Sequence, residues 1–531
     1  MVTAHIDSFV RDRLPPPEAQ PEFLFDLPDL HYPERLNAAV ELIGKGDPDA
    51  LAVINESGRW TYGQMSDLSD RIARLLAEEE DLVPGDRVLL RGPNGAMLFA
   101  CWLGVLKAGG IVVATMPLLR PGELATILER AQVHHAIVDD RFLEDFMKAA
   151  DETGLIRSLL TYRGDSGGGR LEERLESVGP GFAPVATHRD DVALIAFTSG
   201  TTGRPKGCVH CHRDVLAPAD SFARHVLKPE PGGRWACSAP IAFTFGLGML
   251  LVFPWRFGGA AVTIEQPGPR PLLDAIAKFD VTHLATAPTA YKAMLGLLAP
   301  GSGIGSLTTC VSAGEHLPAS TWHAWHDATG LRIVDGIGAT EMMHIFISAS
   351  GDDIRPGATG KAVPGYRACV LDEGGNPLPH GTGRLAVKGP TGCRYFDDAR
   401  QSDYVQGGWN VTGDTYRADE QGYFWYVARS DDMIVSAGYN IAAPEVENAL
   451  YAHCAVQECA VVGVPCEERG QKVKAFVVPA PGREPCEALA RDLQDHVKAT
   501  IAPYKYPREV EFVQALPKTA TGKLQRFALR G

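Results

Sequence analysis

The sequence has few of the features that mark secreted, membrane-spanning or nucleic-acid-binding proteins. Its longest apolar runs, such as 247–254, are far too short to span a bilayer. The opening residues 1–8 contain no basic segment followed by an apolar core, so no secretory signal is expected. The 51 basic residues are outnumbered by 65 acidic ones, and the net charge of −14 disfavours a surface for nucleic acid or acidic membrane. We therefore expect a soluble, cytoplasmic protein without nucleic-acid or membrane partners.

Cysteine is also sparse, with 11 residues scattered over a chain of 531. In a cytosolic chain of this length, such scatter favours reduced thiols over a disulfide framework. The segment Cys208-Val-His-Cys-His212 superficially looks like a metal site. A closed zinc site needs four ligands, and no second CxxC or HxxxH pair completes this one. We expect the segment to be packed for structural reasons.

Length and patterning predict an α/β protein with at least two domains. Hydrophobic content of 45% and charged content of 22% suit a globular enzyme. From about Trp60, helical patterns alternate with short apolar runs such as 87–90 and 111–114, which predicts parallel sheets covered by helices. Residues 1–40, rich in proline and aromatics, are expected to form an extended arm. Between 355 and 426, short strands with frequent glycine turns predict a small antiparallel β-barrel.

A domain boundary is expected near 429–432. Residues 1–429 would form a large N-terminal domain holding the acid and ATP sites. Residues 430–531 show their own alternation of helix and strand, and would form a small α+β domain.

The most informative segment is Phe197-Thr-Ser-Gly-Thr-Thr-Gly-Arg-Pro-Lys-Gly207, which follows the apolar, strand-like run 192–197. Its glycines let the backbone approach a ligand closely, and its hydroxyls and N–H groups offer donors to phosphate oxygens. Lys206 adds a positive charge. An ordinary P-loop needs Ser or Thr directly after Gly-Lys, but here Lys206 lies between Pro205 and Gly207. The loop is therefore predicted to hold a polyphosphate in another geometry.

Three further segments follow this loop: Asp335-Gly-Ile-Gly-Ala-Thr-Glu341, the stretch from Gly413-Asp414 through 428–432 to 436–440, and Leu516-Pro-Lys-Thr-Ala-Thr-Gly-Lys-Leu524. In this order and spacing the four segments resemble the adenylate-forming superfamily of acyl-CoA synthetases, carrier-protein adenylation domains and luciferases. The resemblance implies an α/β fold with a large N-terminal domain of two helix-covered, mostly parallel sheets plus a small β-barrel. A small, mobile α+β C-terminal lid would follow it.

The implied reaction activates a carboxylic acid, which is itself a poor acyl donor. Attack of the carboxylate on the α-phosphate of ATP gives acyl-AMP and pyrophosphate, and a thiol then displaces AMP. The protein mainly positions the reactants and neutralises developing charge. ATP and coenzyme A are the implied co-substrates, and Mg²⁺ is the implied cofactor. A homodimer is left open by the sequence.

The resemblance also assigns individual residues. Thr340 would contact the α-phosphate, and Glu341 would be the Mg²⁺-associated carboxylate, since Mg²⁺ prefers one or two carboxylates plus phosphate oxygens. Asp414 and Arg429 would bind the ribose. The other implied ATP-binding residues lie in the loop, in the segment 312–315 that resembles the one flanking the adenine, and in the segment 335–337: Thr198, Ser199, Gly200, Thr201, Thr202, Gly203, Lys206, Ser312, Ala313, Gly314, Glu315, Asp335, Gly336 and Ile337.

Three C-terminal residues carry the implied conformational cycle. Lys523 resembles the catalytic lysine that bridges the substrate carboxylate and the α-phosphate. Asp431 sits at the family's hinge, where rotation would withdraw Lys523. The same rotation would bring Gly438 to the active site, where a small residue leaves room for the pantetheine arm of coenzyme A.

Within the superfamily, the segments 242–248, 341–346 and 23–37 resemble aryl-CoA ligases of the benzoate and 2-aminobenzoate type. Phe245 would form one wall of a flat acid pocket, and glycines would let the backbone approach the ring face. The implied acid-binding residues are Thr244, Phe245, Ala313, Gly314, Gly336, Ile337, Gly338, His344 and Ile345. We expect 2-aminobenzoate or another ortho-substituted benzoate.

Two alternatives stay open at this point. Benzoate-type ligases often carry a lysine after the paired aspartates, whereas Met433-Ile-Val435 is apolar here, as in medium-chain acyl-CoA synthetases. A stand-alone enzyme that loads a carrier protein is the other alternative. A non-catalytic nucleotide-binding protein is disfavoured, because it would not need Lys523, Glu341 and Asp414 together.

Overall fold

The computed structural model describes residues 3–44, 46–165, 167–198, 205–299, 303–429, 433–436, 439–466, 470–501, 505–518 and 524–530. Within these ranges, no helix is long and apolar enough to cross a membrane. The predicted N-terminal arm is present up to residue 37, with only short 3₁₀ turns at Arg11–Arg13, Pro17–Ala19 and Pro28–Leu30. It is tied to the body of the protein, for example by the Tyr32 hydroxyl, which donates to the buried carboxylate of Asp220 at 2.9 Å.

The part of the chain before residue 212 contains eight strands, and six of them form the first sheet. The strands of this part are β1 (Leu51–Ile54), β2 (Arg59–Thr61), β3 (Arg87–Arg91), β4 (Ile111–Thr115), β5 (His135–Asp139), β6 (Ser158–Tyr162), β7 (Val192–Thr198) and β8 (Lys206–Cys211). Its helices are α1 (Ala38–Ile43), α2 (Tyr62–Glu78), α3 (Ala96–Lys107), α4 (Pro121–Ala131), α5 (Leu143–Thr153) and α6 (Arg170–Ser177). Strands β6, β5, β3, β4 and β7 run parallel in this order, and β8 pairs antiparallel with β7.

The helices that cover the sheets are themselves part of the core, as helix α3 shows. Every residue from Ala96 to Lys107 is buried, which follows from a sequence that is apolar on all sides. Gly104 allows close packing on α2, because a Cβ there would lie 2.6 Å from a side-chain carbon of Ile72. The largest core cluster runs through this layer and includes the fully buried Trp102 and Trp255.

The second sheet uses the middle of the chain together with β1 and β2. Its further strands are β9 (Arg234–Cys237), β10 (Ala260–Val262), β11 (His283–Thr286), β12 (Thr309–Ser312), β13 (Ile333–Gly338), β14 (Ile345–Ser348) and β15 (Lys361–Ala362). The helices are α7 (His212–Pro218), α8 (Thr244–Leu247), α9 (Phe253–Arg256), α10 (Pro269–Phe279), α11 (Pro288–Leu295) and α12 (Ala319–Thr329). The order is β15-β14-β13-β12-β11-β9-β10-β1-β2, parallel from β13 to β1 with antiparallel pairs at both edges. The two helix-covered, mostly parallel sheets are therefore confirmed.

The predicted barrel is not closed. The segment forms β16 (Arg367–Leu371), β17 (Pro377–Leu378), β18 (Gly381–Lys388), α13 (Gln401–Tyr404), β19 (Val405–Gln406), β20 (Trp409–Ala418) and β21 (Phe424–Arg429). The described strands make an open antiparallel sheet in the order β17-β16-β18-β20-β19, with β21 also paired to β20. Closure would require the edges to pair with each other, and β17 and β19 have only two residues each.

The last part of the chain forms a fourth sheet with its own core. Its elements are β22 (Met433–Ser436), β23 (Tyr439–Ala442), α14 (Ala443–Tyr451), β24 (Val456–Cys466), β25 (Gly470–Pro479), α15 (Glu487–Thr500) and β26 (Glu509–Phe512). The order is β23-β22-β25-β24, and β26 pairs parallel with β25. Helices α14 and α15 bury Val446, Leu450, Leu493 and Val497 against this sheet. This is the small α+β unit that the sequence predicted, and a division near residue 430 remains our proposal.

Candidate active site

The predicted phosphate loop connects two paired strands. Thr198 ends β7 and lies opposite Lys206, which begins β8. The residues of β7 from Val192 to Ala196 are buried, whereas Thr198 and Lys206 are half-buried at the end of the pair. A rigid strand pair thus presents a cation at the mouth of the loop. The predicted loop residues Ser199, Gly200, Thr201, Thr202 and Gly203 lie outside the described residues.

Lys206 and Glu341 meet at one tyrosine hydroxyl. Tyr395 donates a hydrogen bond to Oε1 of Glu341, and Nζ of Lys206 lies 3.3 Å from the Tyr395 Oη. The same Nζ lies 4.8 Å from the centre of the Tyr395 ring. The structure therefore brings together the two charges that the sequence assigned to the phosphates and to Mg²⁺.

The turn that carries Thr340 and Glu341 is held by strand β8. Residues Thr340–Met342 form a 3₁₀ turn directly after β13, and Met343 closes it in the left-handed region with φ of +65°. The buried His210 donates from Nε2 to the Thr340 carbonyl at 2.7 Å. The two segments that are predicted to bind phosphate are thus tied to each other by a hydrogen bond from the side chain of one to the backbone of the other.

The carboxylate oxygens of Glu341 suit a magnesium ion as ligands. Oε1 accepts the tyrosine hydrogen bond, and no described residue donates to the second oxygen, Oε2. The Glu341 carboxylate is half-buried, and the residue directly before it in the sequence, Thr340, carries a hydroxyl. One available carboxylate oxygen beside a triphosphate site is what Mg²⁺ uses, because the ion keeps waters and phosphate oxygens as its other ligands.

The two predicted ribose ligands are cross-strand neighbours. Asp414 on β20 lies opposite Arg429 on β21, and the shortest distance between their charged groups is 3.6 Å. The strand register therefore explains why these two residues lie side by side although they are not neighbours in the sequence. Tyr426, also on β21, stacks on His316 with 5.3 Å between ring centres. This contact brings the Asp414–Arg429 pair beside the segment predicted to flank the adenine.

The adenine-flanking residues lie at the ends of adjacent parallel strands. Ser312 ends β12 and is paired in register with Asp335 of β13. Ala313 is buried, and Gly314 turns the chain away with φ of +91°. Glu315 accepts a long hydrogen bond from the Thr289 N–H at 3.4 Å. Ligands of open α/β sheets bind at such carboxyl ends of strands.

Three aromatic rings, one of them the predicted acid-binding Phe245, surround the buried His344. The ring of His344 lies 5.6 Å from that of Phe245, 5.7 Å from that of Phe222 and 4.6 Å from that of Phe253. His344 is 3% exposed, and neither ring nitrogen has a hydrogen-bond partner within the described part of the chain. Burial lowers the pKa of His344 to about 3. The described surroundings of His344 are therefore aromatic, and the histidine ring itself is neutral.

Two glycines of this site are needed for packing, whereas their predicted place beside the acid remains a prediction. A Cβ at Gly336 would lie 2.7 Å from a side-chain carbon of Ile345, and one at Gly338 would lie 2.8 Å from the His344 backbone. Both glycines are therefore required for close packing of β13 on β14. Ile337, between them, is half-buried, and Thr244 is buried at the start of α8.

Comparison with known proteins agrees with this geometry. The profile of the AMP-binding enzyme family matches residues 41–395, and that of the AMP-binding enzyme C-terminal domain matches residues 445–523. The chain belongs to the AMP-binding enzyme family. The predicted enzyme class, an AMP-forming ligase of the adenylate-forming superfamily, is thereby confirmed.

Individual relatives of this AMP-binding enzyme span nearly its whole length. Benzoate–CoA ligase from Thauera aromatica is 37% identical over 513 residues, which are 95% of this chain and 97% of that protein. Human mitochondrial acyl-coenzyme A synthetase ACSM3 is 33% identical over 494 residues, 90% of this chain and 84% of that protein. The structure of the anthranilate CoA ligase AuaEII in complex with anthranoyl-AMP superposes with a TM-score of 0.89. It is 35% identical and covers 95% of this chain and 98% of that one.

Several site residues of this AMP-binding enzyme remain predictions. Lys523, Asp431 and Gly438 lie outside the described residues, so their lysine, hinge and tunnel roles rest on the sequence. Tyr395 was not predicted, since no sequence motif that we identified includes it and only the fold brings it to Lys206 and Glu341.

The cysteine and histidine segment of this AMP-binding enzyme is used in packing. Cys208 is buried against Cys393 and Tyr395, and His212 accepts a hydrogen bond from the Ala38 N–H at 3.1 Å. Among the residues that the structure describes, no group of three or more His, Cys, Asp or Glu side chains is arranged to hold a metal.

Asp335, which is paired with Ser312, is the carboxyl group of the site whose pKa is shifted most. Burial raises its pKa from the ordinary 3.8 to about 7. Its Oδ1 is buried, with no hydrogen-bond partner among the described residues. A buried polar atom of this kind is costly alone but is available to a donor on a ligand.

We expect Asp335→Asn to remove part of the pH dependence of stability. Because the folded pKa is raised, the native protein holds a proton that the unfolded chain releases above about pH 4. The wild type therefore loses stability from about pH 4 to about pH 7, by up to about 4 kcal/mol at 1.36 kcal/mol per pKa unit. Urea unfolding across this range measures the slope.

The matched control is Asp352→Asn, because the Asp352 side chain is fully exposed. This control should keep the wild-type slope. An Asp335→Asn protein with the same pH dependence as the wild type would contradict the assignment.

Proposed function

We propose that this AMP-binding enzyme activates an aromatic acid with ATP and transfers the acyl group to coenzyme A. The acid that we propose is 2-aminobenzoate or another ortho-substituted benzoate. The observation that carries this choice is His344, a buried and neutral ring with unpartnered nitrogens in an otherwise aromatic cluster. The similarity to benzoate–CoA ligase and anthranilate CoA ligase supports it.

In the first half-reaction, a carboxylate oxygen of the acid attacks the α-phosphorus of ATP, and pyrophosphate leaves. We assign Lys206 and the loop before it to the β- and γ-phosphates, and Asp414 and Arg429 to the ribose. Lys523 would neutralise the charge that develops between the carboxylate and the α-phosphate. Mg²⁺, when bound, supplies additional positive charge for the triphosphate. Glu341 is the residue that would hold it, and we assign Thr340 to the α-phosphate.

In the second half-reaction, the thiolate sulfur of coenzyme A attacks the acyl carbonyl carbon, and AMP leaves. The protein has no bond to form in this step, so its contribution is to admit the pantetheine arm and exclude water. We assign the entry path to Gly438. Between the two half-reactions, rotation at Asp431 would withdraw Lys523 from the active site and bring Gly438 to it.

Selection of the acid follows from the unpartnered nitrogens of His344. An unpaired buried acceptor is destabilising, and a ligand that donates to it recovers that free energy. An ortho amino group carries such a donor on a planar ring that fits against Phe245. Benzoate has no donor at this position and leaves the nitrogen unpaired. A site built to meet a substrate N–H discriminates strongly against an analogue that lacks it.

His344→Leu is expected to reduce the preference for 2-aminobenzoate over benzoate by roughly 10-fold or more, because it removes the acceptor at similar volume. The ratio of kcat/KM values for the two acids, measured by thioester formation, gives this preference. The control is Phe222→Leu, which changes the ring stacked on His344 but removes no acceptor. An unchanged ratio in His344→Leu, or no wild-type preference for 2-aminobenzoate, would overturn the proposed acid.

A medium-chain fatty acid is the second candidate. The similarity to acyl-coenzyme A synthetase ACSM3 and the apolar Met433-Ile-Val435 segment favour it. Hexanoate in the same acid series separates the two candidates, since a preference for hexanoate would move the enzyme to the medium-chain group. Adenylate formation without any coenzyme A ester would instead favour loading of a carrier protein.

A further inference from the structure

Tyr395 lies on a segment that is paired with strand β8. The Val209 N–H donates to the Arg394 carbonyl at 2.9 Å, and the Phe396 N–H donates to the Gly207 carbonyl at 2.8 Å. Cys208 and Tyr395 are opposite each other in this short antiparallel bridge. The backbone of Tyr395 is therefore fixed to the same strand that begins with Lys206.

The side chain of Tyr395 is enclosed on several sides. It is 1% exposed, and its backbone N–H donates to the Gln401 side chain at 2.8 Å. The ring packs edge-on against Tyr404 with 5.8 Å between centres. A phenylalanine would make these same contacts, because none of them uses the hydroxyl.

The hydroxyl itself is directed at two charged groups. It donates to Oε1 of Glu341, and the ammonium of Lys206 lies 3.3 Å from its oxygen. A tyrosine hydroxyl ordinarily loses its proton only at about pH 10, so this one is a donor at neutral pH. One neutral hydroxyl therefore contacts an anion and a cation at the same time.

We propose that Tyr395 is a positioning residue that holds Glu341 and Lys206 apart and ready for magnesium-bound ATP. This inference rests on the proposed function, which assigns Glu341 to the ion and Lys206 to the phosphates. Both groups are within reach of one oxygen, so without the hydroxyl they are close enough to pair directly. A direct ion pair would have to break before ATP binds, and the nucleotide would bind more weakly.

Tyr395→Phe is expected to raise the Kd for magnesium-bound ATP by about 10-fold or more, since the lost hydrogen bond involves charged groups. Titration calorimetry with magnesium and ATP, without acid or coenzyme A, measures this Kd directly. The KM for the acid and the midpoint of thermal unfolding should stay near the wild-type values. A merely structural tyrosine would instead change stability and leave the Kd unaltered.

Tyr404→Phe is the matched control. Its hydroxyl is buried in the same cluster and has no hydrogen-bond partner among the described residues. This variant should bind magnesium and ATP like the wild type. A Kd for Tyr395→Phe within about two-fold of wild type, or equal weakening in both variants, would overturn the positioning role.

A double-mutant cycle with Glu341→Gln tests whether Tyr395 acts through Glu341. Residues of one network are not additive, so Tyr395→Phe should weaken binding much less in the Glu341→Gln protein than in the wild type. Additive losses would contradict the proposal. A wild-type protein that fails to bind magnesium and ATP would overturn the proposed function itself, and this inference with it.

Discussion

Replacement of Lys523 with alanine is expected to slow acyl-AMP formation by about 10²–10³-fold, the usual effect of losing one group that stabilises transition-state charge. The lysine is predicted to contact charge that develops only when the carboxylate attacks the α-phosphate. Thioester formation from supplied acyl-AMP should change little, because that step begins after this charge has gone. ATP–pyrophosphate exchange measures the first step, and coenzyme A ester formation from synthetic acyl-AMP measures the second.

Lys518→Ala is the control for this experiment. Lys518 lies five positions earlier in the same motif and pairs with Glu458 at 2.8 Å, so it is engaged within the C-terminal unit. Its loss should leave both half-reactions near the wild-type rates. Equal losses in the two half-reactions of Lys523→Ala would contradict the assignment of the catalytic lysine.

Substitution of Gly438 by leucine is expected to have the opposite pattern. A branched side chain in a passage that fits the pantetheine arm should cost about 1–3 kcal/mol, as overpacking does in protein interiors. That cost corresponds to a roughly 5- to 160-fold slower thioester formation, with acyl-AMP formation unchanged. The same pair of assays measures both effects, so the two variants should separate the half-reactions in opposite directions.

Gly438→Ala gives a graded control, because a single methyl group should slow the second step less than leucine does. Thermal unfolding of the three proteins reports any general loss of stability. Wild-type thioester formation in Gly438→Leu would exclude this glycine from the path of coenzyme A.

Much of the fold was predictable because its signals are local. The apolar run of β7 and the glycines after it predicted a strand followed by a phosphate loop, and the paired ends at Thr198 and Lys206 agree. Alternation of helical and strand patterns predicted both parallel sheets. Asp414 and Arg429 were assigned only by resemblance, and the register of β20 and β21 supplies the physical reason why they lie together.

The remaining features depend on contacts that sequence spacing does not encode. Tyr395 reaches Glu341 across 54 positions of sequence, and no local pattern marks it. The closed barrel was wrong because strand count and turns do not reveal that the edge strands β17 and β19, with two residues each, do not pair with each other. The resemblance placed the glycines at 336 and 338 beside the ligand, which remains a prediction, but it did not show that the packing of β14 also requires them.

The most direct test of the central claim is ATP–pyrophosphate exchange by the wild-type enzyme with benzoate, 2-aminobenzoate, salicylate and hexanoate, followed by detection of coenzyme A esters. We expect exchange that is strongest with 2-aminobenzoate and conversion of its adenylate to the coenzyme A ester. Exchange that no acid stimulates, or stimulated exchange that never yields a coenzyme A ester, would contradict the central claim.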